Sequence, residues 1–115
     1  MPPRDWAFRI QDILNSIDKI QRYVSGVDFE AFENDEEIMD AVVHNLTVIG
    51  EAANRIPAEI TSSHPEIPWR QMIDLRNLSV HAYWNLRPAV IWETIQNNLP
   101  PLVGPLTILL TPDEL

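Results

Sequence analysis

The chain has 115 residues, 45% of them hydrophobic and 22% charged, which suits one domain spanning residues 1–115 and leaves no room for a second. It has no cysteine, which removes disulfides, thiolate metal sites and cysteine nucleophiles together and fits a reducing cytoplasm. Seventeen acidic residues against eight basic ones give a formal net charge of -9, which disfavours nonspecific nucleic-acid binding driven by phosphate neutralisation but permits a small local basic site.

The N-terminal residues show no apolar signal core, and no uncharged run reaches the roughly 18 residues of a membrane span. In the first segment, Trp6, Ile10, Ile13, Leu14, Ile17, Ile20 and Val24 recur at helical spacing and predict one buried stripe. Gly26 supplies a stop, and a short helical turn is expected at Phe29 to Phe32. Asn34 with Glu37 three residues later reads as a capping box opening a second long helix. That helix carries Ile38, Val42, Leu46, Ile49 and Ala53 and stops before Pro57.

A polar connector runs from Pro57 to Pro68, with one helical turn near Ala58 to Ser62. His64, before Pro65, is expected to help fix that connector. Pro68 suits the first position of a third helix, from Trp69 to about His81. Asn85 to Pro88 reads as a loop. A fourth helix follows over Ala89 to Asn98, Pro100 and Pro101 break it, and a last helical segment reaches Leu110. No stretch alternates with period two, so the expected fold is all-α: an antiparallel up-and-down bundle of four to five helices.

The chemistry concentrates between Arg76 and Tyr83. Imidazole, which titrates near neutral pH, can take a proton from a ribose 2′-hydroxyl, and a guanidinium can neutralise charge growing on phosphoryl oxygens. His81 and Arg76 supply these groups, and Asn77 and Tyr83 can position phosphate or sugar. The chemistry requires no metal or other cofactor. His44, His64 and His81 do not match standard zinc spacings.

Arg76 and His81 are five residues apart, a rotation of about 140° net on an ideal helix, so they do not share a face. A site using both needs a helix that ends near His81, or a second copy across a symmetric interface. From spacing alone, a hydrogen-bonded helix-end role for His81 and a buried ring for Tyr83 are the plainer readings. Glu51 shares a stripe with His44 and Arg55. Either Glu51 approaches and orients Arg76 or His81, or it pairs with Arg55 at the surface. His44 reads as a surface or interface residue. Trp6, Trp69 and Trp92 read as packing residues.

The run Arg76-Asn77-Leu78-Ser79-Val80-His81-Ala82-Tyr83 has the spacing Arg, four residues, His, one residue, Tyr. It stands with Ile49-Gly50-Glu51-Ala52-Ala53-Asn54-Arg55, His64-Pro65-Glu66-Ile67-Pro68-Trp69, Ile91-Trp92-Glu93-Thr94 and Leu99-Pro100. Together these motifs resemble the HEPN-domain proteins of the HepT type, the toxin partners of MntA-type minimal nucleotidyltransferases. The resemblance covers most of the chain, from the first helix to about Pro105. It implies a dimeric HEPN-like bundle and a metal-independent endoribonuclease acting on tRNA or mRNA in the cytoplasm. It implies that Arg76 and His81 are catalytic, that Asn77 supports them, and that Tyr83 receives AMP from the MntA-like partner, which silences the toxin. Asp74, Ala82 and Trp84 depart from the commoner family residues. The net charge and Asp74 favour a rival reading, a noncatalytic dimeric module that binds the nucleotidyltransferase and is modified by it. A plain dimeric scaffold without either activity is a third.

Overall fold

The computed structural model describes residues 5–85 and 87–110, with side chains described outside 78–86. Its helices are α1 (Asp5–Tyr23), α2 (Phe29–Glu33), α3 (Glu36–Asn54), α4 (Ala58–Ser63), α5 (Trp69–Asn85), α6 (Pro88–Glu93) and α7 (Pro100–Leu109), with a π-helical turn at Thr94–Asn98. The described residues contain no strand, so the all-α expectation is met. The described residues form seven α-helices and a π-turn, more segments than the four to five helices expected. Short turns and an interrupted last rod raise the number of segments.

The stripe of α1 buries Ile10, Ile13, Ile17 and Ile20 completely or nearly so. Asp5 lies in its first turn and Arg22 in its last, as the helix dipole favours. Gly26, with φ at +76°, then turns the chain in a conformation that costs an L side chain energy.

The entry to α3 differs from the expected capping box. Asp35 is the cap, its Oδ1 accepting from the Ile38 amide at 3.0 Å. Asn34 instead closes α2, donating from Nδ2 to the Glu30 carbonyl at 2.8 Å. Two helices meet here with almost no linker, so adjacent residues divide the end of one and the start of the next. Glu37 therefore falls one position short of the box.

The 64–69 connector is tied by a backbone group. The His64 carbonyl accepts from the Ile67 amide at 3.1 Å and from the Trp69 indole Nε1 at 3.0 Å. The His64 ring adds a 3.5 Å contact from Nδ1 to Glu66. Pro68 precedes α5 rather than occupying its first position, and its carbonyl accepts from the Met72 amide at 3.0 Å.

Helix α5 continues past His81 to Asn85. No glycine or proline lies between His81 and Asn85, so nothing there stops it. Pro88 disfavours a helical residue before it, and Arg87 is non-helical with φ -109° and ψ 71°.

Nor do Pro100 and Pro101 break the last rod outright. Leu99 keeps helical angles, φ -77° and ψ -44°, and its amide reaches the Thr94 carbonyl at 3.1 Å, one residue further than an α-helical bond. The prolines have no amide to give, and their rings crowd the carbonyls four residues earlier. The widened turn relieves that crowding, and α7 resumes with Pro100 at its start.

Helix α3 is central, packed against both α1 and α5, while α7 lies along α1 and α2 against α6. Phe32 is wholly buried with its ring tilted against Trp92 at 5.0 Å between centroids, and Phe29 lies edge-on to the same indole at 6.0 Å. Trp69 is buried, and Trp6 and Trp92 pack against the core, as packing residues should.

Candidate functional site

Helices α3 and α5 come into backbone contact at Gly50. A β-carbon built on Gly50 would lie 2.7 Å from the Arg76 amide nitrogen, 2.8 Å from the Arg76 β-carbon and 3.0 Å from the Ile73 carbonyl oxygen. The missing side chain allows the two backbones to touch. A glycine inside a helix costs up to about 1 kcal/mol relative to alanine, which the close packing here offsets. Arg76 leaves α5 at this crossing.

Met72 and Leu75 point into the core, and Arg76 is half-buried beside them. Its Nη1 lies 3.6 Å from the Glu51 carboxylate on α3, with the arginine side chain 34% exposed and the glutamate 51%. Of the two readings for Glu51, the approach to Arg76 is the contact found. Among the described residues Glu51 makes no ion pair with Arg55, which is exposed and caps the end of α3. His44 is exposed on α3.

Asn77, next along α5, is exposed. Asp74 is exposed too, but it precedes Arg76 by two residues, about 200° of helical rotation. Its charge therefore projects from the far side of the helix rather than beside the guanidinium. The side-chain readings of His81 and Tyr83 lie outside the described side chains. The backbone still constrains their register. Because α5 is continuous through Asn85, a helix ending near His81 is not what joins Arg76 and His81. His81 stands about 7.5 Å further along the axis and about 140° round from Arg76, whereas Tyr83 is two turns on and nearly eclipsed with Arg76.

The described residues hold no cluster of three or more metal-ligating His, Asp or Glu side chains. None of the helices among them is long and apolar enough to cross a membrane. A groove between α5, the π-turn and α7 is floored by Met72, Leu75, Leu99 and Leu102, with Gln71 and Asn98 at its rim. It opens on a different side of α5 from the Gly50 crossing. The tight Gly50–Arg76 contact was absent from the sequence reading. Its signal was a glycine inside a strongly periodic helix, which asks for a packing reason.

The family model for ribonuclease HepT-like proteins matches residues 13–105. The chain is 37% identical over 95 residues to a Thermococcus cleftensis protein named Probable ribonuclease HepT, covering 83% of this chain and 86% of that one. It is 34% identical over 102 residues to a candidate RNase of Methanocaldococcus jannaschii, covering 89% and 88%. A candidate RNase of Caldanaerobacter subterraneus subsp. tengcongensis is 32% identical over 93 residues, covering 81% and 83%. No solved structure matches the chain. A family match across the bundle core and the Arg76–Tyr83 motif, with relatives aligned over most of their length, makes this chain a member of the HepT-like ribonuclease family.

Proposed function

We propose that the chain is a metal-independent endoribonuclease, the toxin of a toxin–antitoxin pair, acting as a homodimer on tRNA or mRNA. The observation that carries this reading is the placement of Arg76. It sits half-exposed where the α3 backbone meets α5 at Gly50, within the Arg–His–Tyr motif of a HepT-like chain. The continuity of α5 supports the dimer, because one straight helix turns Arg76 and His81 apart. A two-fold interface brings the arginine of one copy toward the histidine of the other.

In this mechanism His81 takes the proton from a ribose 2′-hydroxyl. The 2′-oxygen attacks the adjacent phosphorus, the bond from phosphorus to the 5′-oxygen breaks, and that oxygen leaves with a proton supplied by water. The products are a 2′,3′-cyclic phosphate and a 5′-hydroxyl. Arg76 offsets the charge building on the nonbridging oxygens, and Asn77 positions the phosphate or sugar. Tyr83, nearly eclipsed with Arg76 along α5, accepts AMP from an MntA-like nucleotidyltransferase. The added group brings bulk and negative charge where the RNA phosphate must sit.

The test is cleavage of RNA by purified protein in EDTA, with product ends identified by mass spectrometry. Cyclic phosphate ends are expected. Arg76→Ala and His81→Ala are each expected to lower the rate at least about 100-fold while the helical circular dichroism stays unchanged. Full activity in both folded variants would reject the site. The net charge of -9 favours the second reading, a noncatalytic module modified by the nucleotidyltransferase. An unmodified chain that never cleaves RNA, yet gains AMP on Tyr83, would establish that alternative.

A further inference from the structure

Gly50 and Glu51 are consecutive on α3, and both meet the same residue of α5. The glycine lets the α3 backbone rest against the Arg76 backbone, where a β-carbon would come within 2.7 Å of the amide nitrogen. The carboxylate of the next residue reaches the Arg76 head group, 3.6 Å from Nη1. One step of α3 thus engages the arginine twice, at its root and at its tip. A guanidinium is one rigid plane, so the attraction of the Glu51 carboxylate for one terminal nitrogen biases the direction of the whole fork.

We propose that Glu51 is a positioning residue for Arg76 that raises turnover at the expense of RNA affinity, a role that rests on the ribonuclease reading above. The pair is roughly half-exposed, and exposed ion pairs contribute little to fold stability. Its effect falls on where the guanidinium points. An arginine already aimed at the phosphoryl oxygens needs no reorganisation as charge develops there. The same carboxylate places a negative charge beside the arginine that must meet an RNA phosphate. In a chain of net charge -9 this is the reverse of what affinity alone would select. Glu51 therefore acts with opposite sign on the two kinetic constants.

Steady-state cleavage of an RNA oligonucleotide by the full chain separates these effects. Glu51→Gln and Glu51→Ala are expected to lower kcat about tenfold, from lost orientation, and to lower KM about twofold to threefold, from lost repulsion. Glu51→Asp keeps the charge but withdraws it by one methylene, so kcat should fall while KM stays near wild type. In parallel, the Arg76 Nε–Hε NMR signal, assigned with Arg76→Lys, should shift and sharpen toward a mobile side chain in Glu51→Gln. Unchanged kcat in all three variants beside an active wild type overturns the proposal, as does an unmoved Arg76 signal. A fall in KM with kcat unchanged assigns Glu51 to simple repulsion and overturns it as well. A wild-type chain that cleaves no RNA sinks the ribonuclease reading itself, and the NMR signal still decides whether Glu51 holds Arg76.

Discussion

Asp35 and Asn34 show how single side chains divide the work at a junction. Asp35 Oδ1 accepts from the first turn of α3, while the Asn34 side chain bonds back into α2 from an exposed position. Asp35→Ala is expected to cost about 1 kcal/mol, the usual loss for an N-cap. Asn34→Ala should cost clearly less, and urea unfolding midpoints of the two variants measure the difference. The sequence shows a polar pair followed by acidic residues, so a helix start here was legible. Which of the two neighbours caps it was not, because that depends on where α2 ends. The linear motif was legible for the opposite reason. Arg76, His81 and Tyr83 are tied by spacing along one segment and need no tertiary knowledge to be seen.

Among the elements, α1 and α3 follow their apolar stripes closely, because burial along one face sets both helices. The end of α5 did not follow its sequence reading. That reading closed the helix near the motif, but only Pro88 supplies a physical stop. The Gly50 crossing was illegible for another reason. It joins two helices distant in sequence, and periodicity says nothing about which turn of one meets which turn of the other. Gly50→Ala tests that contact. The new methyl meets the Arg76 backbone rather than a flexible side-chain end, so α3 and α5 must separate. A net destabilisation of about 1–3 kcal/mol is expected despite alanine's better helix propensity. Thermal melting reads the stability, and the RNA cleavage rate should fall further than the melting shift alone explains.

For the whole molecule, the all-α class and the order of the long helices were readable because apolar periodicity and proline positions act locally. The proposed pairing of Arg76 with His81 belongs to an assembly, and it has its own experiment. Arg76→Ala and His81→Ala chains, each expected to be inactive, are mixed under conditions that exchange subunits. If each site takes its arginine from one copy and its histidine from the other, half the dimers are mixed and each carries one intact site. About a quarter of wild-type cleavage should then return. Intrachain sites would give no recovery, and a dilution series on the wild type should show activity lost as dimers dissociate.

The widened turn at Thr94–Asn98 also bears on how the chain can change over evolutionary time. It holds one residue more than an α-helical path needs, and it precedes two prolines whose rings that path would crowd. A deletion within the turn would return the backbone to the geometry Pro100 and Pro101 resist. The same deletion after both prolines had been replaced would meet no such clash. The order of mutations is therefore constrained: the prolines hinder loss of the extra residue, so their replacement must come before its deletion.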